Sequence, residues 1–231
     1  GVMMLGNAVK QGQFLNFPET IKKKAKVPII HGTRINDLRI ADTAIGEGKI
    51  DMVSLGRQLI TDPETPNKVK AGHFEDIKPC ICCCWCLETV DTRVICSINP
   101  RVSHEFEYII EPAKKPKRIL VIGGGPGGIE AALTAAQRGH KVIMAEKEDK
   151  LGGMLLPASV APFKDDTKAY VEYLQRQVAK SNIELKLGKE ITIEDVLEIS
   201  PDAVIIATGG KPIIPNIANI IRKNVVLALD V

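Results

Sequence analysis

Six cysteines stand between positions 80 and 96, and the chain has no others. They read Cys80-Ile81-Cys82-Cys83-Cys84-Trp85-Cys86, followed by Cys96. One register through them is C-x2-C-x2-C-x9-C, which selects Cys80, Cys83, Cys86 and Cys96. A cubane iron–sulfur cluster takes one thiolate per iron. A tight loop can wrap three corners while a returning segment supplies the fourth. The pattern therefore predicts a 4Fe-4S cluster and electron-transfer chemistry. Structural zinc usually pairs two separated CxxC knuckles, and disulfide frameworks belong to small secreted domains. Both fit this spacing less well. Cys82 and Cys84 are surplus to the register. They read as small, reduced loop residues, or they shift the ligand set, for example with Cys82 replacing Cys80.

The second constellation is glycine-rich. Arg118–Ile122 is a short apolar run of buried-strand type. It leads directly into Gly123-Gly124-Gly125-Pro126-Gly127-Gly128, and Ile129–Arg138 then reads as an Ala-rich helix ending at Gly139. A second strand, Lys141–Ala145, is closed by Glu146. This is the strand–turn–helix–strand unit of a dinucleotide site. Gly123 makes the turn, Gly125 admits the pyrophosphate, and Gly128 lets helix and strand pack. The helix N-terminus offers N–H groups to phosphate, and Glu146 stands where a carboxylate meets the ribose hydroxyls.

These two sites need elements to position them. With 231 residues and 45% hydrophobic content, the chain can bury a core. Upstream of the cysteines, Val27–Ile30 and Asp51–Leu55 read as strands, and Asp37–Gly48 and Pro63–Gly72 as helices. Repeated βα units imply a parallel sheet, but two units cannot close an eightfold barrel. Downstream, Asp165–Ser181 reads as an amphipathic helix, Ile183–Leu187 as a strand, and Thr192–Ile199 as a helix that Thr192 can cap. Asp202–Ile206 reads as a buried strand running into Ala207-Thr208-Gly209. A net charge of +3 is too mild to argue for nucleic acid. Scarce aromatics argue against a base-stacking surface, and no stretch reads as a signal peptide or membrane span. A cytoplasmic setting is expected.

Several phrases are similar to known flavoenzymes. Glu146, then Leu151-Gly152-Gly153-Met154, and Asp202–Gly209 resemble the FAD domain of disulfide-reductase-like flavoproteins. Thr33-Arg34-Ile35-Asn36-Asp37, Asp51–Arg57 and Asp62-Pro63 resemble the end of the old yellow enzyme barrel. With the cysteine loop between them, the order resembles the iron–sulfur flavoenzymes of that family. These include 2,4-dienoyl-CoA reductase, enoate reductase and trimethylamine dehydrogenase.

The resemblance implies an α/β fold: the C-terminal end of a (β/α)8 barrel over 1–78, a 4Fe-4S loop over 79–104, a linker over 105–117, and a Rossmann-like FAD domain over 118–231. It implies that Thr33, Arg34, Gly56 and Arg57 hold the FMN phosphate. It gives Cys80, Cys83, Cys86 and Cys96 the cluster. Gly123, Gly125, Pro126, Gly127, Gly128, Glu146, Gly153, Met154, Ala207, Thr208 and Gly209 would bind FAD, or ADP in an amine dehydrogenase. The implied activity is NAD(P)H-dependent reduction of an activated C=C bond in a small-molecule substrate, with electrons passing from FAD through the cluster to FMN. The alternatives are amine oxidation in the reverse direction and a non-catalytic electron-transfer module. An electron-transfer partner and a homo-oligomer fit this reading, whereas nucleic acid and membrane do not. Thr33 stands where many relatives have Gly, and Cys82 and Cys84 replace a Gly and a polar residue. The residues that would bind substrate and donate protons are absent from the chain. An internal fragment of an enzyme of roughly 600–700 residues is therefore expected.

Overall fold

A computed structural model describes residues 6–217, 220, 222 and 224–227. Most of the closing phrase Val225–Val231 lies outside them.

The first part runs α1 (Asn16–Lys22), β1 (Ile30–His31), α2 (Leu38–Gly46), β2 (Met52–Val53), α3 (Arg57–Thr61) and α4 (Thr65–Lys70). A 3-10 turn at Phe74–Asp76 follows. The strands are parallel, with Ile30 opposite Met52 and His31 opposite Val53. Each has two residues: β1 shares only Ile30 with the apolar run Val27–Ile30 and extends to His31, and β2 keeps the middle of Asp51–Leu55. Pro28 has no N–H to give a ladder, and the Asp51 carboxylate instead accepts from the Ile29 N–H. The Asp37 side chain caps α2 by accepting from the Arg39 N–H. Ile35, Leu38 and Ala41 form a small core against the half-buried Val53 and Leu55.

The cysteine segment contributes one short helix, α5 (Trp85–Glu88). The second part then runs β3 (Arg118–Ile122), α6 (Pro126–Gln137), β4 (Lys141–Ala145), α7 (Leu155–Ala158), α8 (Asp165–Lys180), β5 (Glu184–Lys186), α9 (Ile193–Ile199) and β6 (Ala203–Ile206). Its four strands are parallel in the order β5-β4-β3-β6. Alternation along β3 explains its unbroken apolar sequence. Ile119 and Val121 face a core with Ile129 and Ala132 of α6 and Tyr170 and Leu174 of α8. Leu120 packs on the other face with Ile143 and with Ile199 of α9. Thr192 and Asp195 form a reciprocal capping box at the start of α9.

The cysteine segment is tied to both parts. Ile98 is buried in the core beneath β3 and β4, and Ile81 and Cys96 pack against it. No helix among the described residues is long and apolar enough to cross a membrane.

Candidate functional site

The cysteine loop is held mainly by α3 and the residue after it. Gln58, buried to 1% exposure, donates from Nε2 to the Lys78 carbonyl and accepts at Oε1 from the Cys80 N–H. Asp62 Oδ2 accepts from the Lys78 N–H. Asn99 returns the other end of the loop by donating to the Ile60 carbonyl, and Thr61 Oγ1 lies 3.8 Å from Cys96 Sγ. Sequence reasoning missed Gln58 and Thr61.

Cys80, Cys83, Cys84, Cys86 and Cys96 line one hollow, together with Arg57, Ile60, Thr61, Ile81 and Ile98. Its volume is ≈ 280 Å³, including the part open to solvent. All four register cysteines are thus brought together despite their separation along the chain. Cys82 is not among the lining residues. All six thiols are free, with no disulfide.

The thiols in and beside the hollow are shifted in opposite directions. Hydrogen bonding from Cys82 outweighs burial and, helped by Thr61 and the Arg57 charge, holds the Cys80 thiol down at about 6. The same bond, with burial, pushes Cys82 up. Burial and the neighbouring Cys80, Cys96 and Cys83 push Cys86 up, with Arg57 opposing. Burial works against the Arg57 charge, but the thiols of Cys82, Cys80, Cys84 and Cys86 together raise its pKa. Crowded thiols resist full ionisation unless positive charge is supplied among them.

The two loops expected to hold a phosphate lie side by side. A Cβ on Gly32 would stand 2.1 Å from Ser54 Oγ, so the turn after β1 abuts the turn after β2. Thr33-Arg34 and Gly56-Arg57 continue from these turns. Their arginines do more than the sequence suggests. Arg34 Nη1 donates to Cys82 Sγ at 3.2 Å, and Arg57 Nη1 donates to Cys84 Sγ at 3.2 Å. The two surplus cysteines are therefore acceptors for the two loop arginines, not inert spacers. The Arg34 fork is further paired with Asp166 of α8, the two side chains being 3% and 4% exposed.

The dinucleotide residues converge at the C-terminal ends of β3, β4 and β6. Gly123 has φ +113, and a Cβ there would meet the Ala207 carbonyl oxygen at 2.3 Å. This sets the turn directly against Ala207-Thr208. Pro126 opens α6, where its missing N–H is no loss, and Gly127 follows it exposed. Gly128 is buried against the Gly123 carbonyl. Glu146 is buried, with Oε2 accepting from the Gly124 N–H at 2.6 Å and Oε1 from the Glu148 N–H at 3.0 Å. The Gly152 N–H donates to the Gly124 carbonyl, which lays Gly153 against Gly125. Met154, 53% exposed, immediately precedes α7, while Thr208 and Gly209 are exposed beyond β6.

Residues 6–76 match the NADH:flavin oxidoreductase / NADH oxidase family, and residues 117–230 match the pyridine nucleotide-disulphide oxidoreductase family. Over residues 6–76 the chain belongs to the NADH:flavin oxidoreductase / NADH oxidase family. It is 38% identical over 206 residues to a cinnamate reductase of Clostridium sporogenes, covering 88% of this chain and 31% of that protein. It is 38% identical over 220 residues to an NADH oxidase of Thermoanaerobacter brockii, covering 93% and 34%. An N,N-dimethylglycine/sarcosine dehydrogenase of Chromohalobacter salexigens is 32% identical, with 88% and 30% covered. Among solved structures, a 2-naphthoyl-CoA reductase in complex with 2-naphthoyl-CoA superposes with a TM-score of 0.94 at 37% identity, covering 99% of this chain and 36% of that one. The chain thus spans about a third of the length of these relatives. Its fold is that of an enzyme family joining a flavin-binding barrel to a Rossmann-like unit.

Proposed function

We propose that this chain is the electron-transfer middle of an NAD(P)H-dependent flavin oxidoreductase that reduces an activated C=C bond. The observation that carries the reading is the hollow lined by Cys80, Cys83, Cys86 and Cys96, set between the two arginine turns and the dinucleotide unit. The donor set suits a cubane cluster. The four register cysteines line one space, and a cubane cluster takes one thiolate for each of its irons.

Cys80, Cys83, Cys86 and Cys96 would hold the cluster. The turns at Thr33-Arg34 and Gly56-Arg57 would hold the FMN phosphate, Arg34 through its backbone because its fork is engaged with Asp166. Gly123, Gly125, Pro126, Gly127 and Gly128, with Gly153, Met154, Ala207, Thr208 and Gly209, would form the FAD cradle. When bound, the flavins would supply hydride and one-electron chemistry, and the cluster one-electron transfer between them.

The chain's own residues prepare these sites. The start of α6 presents backbone N–H groups and the positive end of a helix to a pyrophosphate. Glu146 stiffens the glycine turn through Gly124 and keeps free lone pairs for ribose hydroxyls. Ile60, Ile81 and Ile98 restrict water around the cysteines, and Arg57 balances their charge. The reduced thiols suit a cytoplasmic setting. The substrate is a small molecule met by the flavin barrel of the complete enzyme.

A second reading, amine oxidation with bound ADP, is favoured by the amine-oxidising relative at 32% identity. Cofactor analysis of the full-length protein, purified without oxygen, separates the readings. Iron and sulfide with both FMN and FAD, and NADH consumption dependent on a cinnamate-type acceptor, are expected. ADP in place of FAD, with amine-dependent dye reduction, would transfer the assignment to the second reading. Zinc without sulfide would overturn both.

A further inference from the structure

The proposed chemistry does not use Cys82, yet this thiol is 2% exposed and its sulfur accepts two hydrogen bonds. Its backbone has φ +51, a conformation that favours glycine. Its sulfur accepts from Arg34 Nη1 at 3.2 Å and from Asn36 Nδ2 at 2.8 Å. Arg34 is also left-handed, with φ 56, and its Nε donates to the Val9 carbonyl at 2.7 Å. Its fork engages Asp166. Gln11 Nε2 donates to Asp166 Oδ1 at 2.9 Å, and Gln11 Oε1 accepts from the Asn36 N–H at 3.0 Å. Asp166, Arg34, Cys82, Asn36 and Gln11 therefore close a hydrogen-bonded ring.

The ring joins three parts of the chain. Asp166 lies in the first turn of α8, in the dinucleotide unit. Arg34 and Asn36 follow β1. Cys82 lies between two proposed cluster ligands, Cys80 and Cys83. Within the ring one buried cation faces one buried anion. Removing either would leave an unpaired charge in a dry site, a far larger penalty than loss of an exposed pair.

We propose that Asp166 is a positioning residue for the cysteine loop: through Arg34 it fixes Cys82, and so sets the cluster's surroundings from the dinucleotide unit. The proposal rests on the cluster reading above. The loop corner at Cys82 is held in a conformation that cysteine does not favour by donors whose own placement depends on the Asp166 carboxylate.

The test uses the full-length holoenzyme and the variants Asp166→Asn, Asp166→Glu, Cys82→Gly and Cys82→Ser. The readouts are iron and sulfide content, the electron paramagnetic resonance of the reduced cluster, and its midpoint potential by redox titration. Asp166→Asn is expected to shift the potential and the resonance while iron stays bound, and Asp166→Glu, which keeps the charge, to recover part of the change. Cys82→Gly suits the backbone but removes the acceptor, so it should shift both signals at full iron content. Cys82→Ser retains an acceptor and should return them toward the parent. If Asp166→Asn does not fold, the Cys82 pair decides. Unchanged cluster signals in Cys82→Gly would overturn the proposal, as would loss of iron in Asp166→Asn alone, which would make Asp166 domain glue. Absence of a cluster from the parent protein would instead sink the reading beneath it.

Discussion

Replacing Gly128 by alanine would put a Cβ 1.9 Å from the Gly123 carbonyl oxygen and 3.2 Å from Ala207 Cβ. The atom met first is backbone, at the mouth of β3, and no side chain can swing aside to relieve the clash. Ordinary non-bonded separation requires the start of α6 to withdraw by roughly 1.5 Å. Overpacking of this kind costs about 1–3 kcal/mol, and a backbone obstacle points to the upper part of that range. Its neighbour supplies the control. A Cβ on Gly127 meets nothing within 4 Å, so Gly127→Ala in this helix should gain about 0.5–1 kcal/mol. Urea unfolding without added nucleotide should therefore separate the two variants by roughly 2–4 kcal/mol. Titration with ADP should show Gly128→Ala weakened by roughly tenfold or more, because the amides of α6 no longer reach the phosphates together. Equal stabilities for the two variants would show that α6 does not press on β3 as described, and the account of the glycine turn would fall with it.

Cys83→Ser should lose most of the iron and sulfide while ADP binding at Gly123–Gly128 survives; full iron content would move the ligand register to Cys84, the fifth thiol of the hollow. Glu146→Ala strands the buried Gly124 N–H, so unfolding measurements should show a loss of about 1–3 kcal/mol together with weaker ADP binding; parent-like behaviour in both would remove Glu146 from the site. Thr192→Ala breaks the capping box of α9 and should cost about 1 kcal/mol in denaturant unfolding.

Much of the dinucleotide unit was legible from local pattern. Lys141–Ala145 forms a strand over the expected residues, and Thr192 caps its helix as its spacing to Asp195 allows. Continuous apolar runs, a glycine turn and a capping residue each act within a few residues, so sequence reports them directly. The barrel-end strands are shorter than their apolar runs, because strand length depends on which backbone partners are present, not on hydrophobicity alone. The short helices at Asn16–Lys22, Arg57–Thr61 and Leu155–Ala158 carried no periodic signal long enough to detect.

The sequence by itself therefore determined the kinds of chemistry available: thiols at cluster spacing, glycines at pyrophosphate spacing, and an arginine shortly after each of two short strands. Only the tertiary structure decided how those groups are used. It turned Cys84 into the hollow and Cys82 away from it, and it committed the Arg34 fork to Asp166, 132 positions away in the chain. It also assigned Gln58 and Asn99 to hold the ends of the cysteine loop. Buried polar groups must find partners wherever folding brings them. Those partners are set by packing between distant segments, and no local pattern records it.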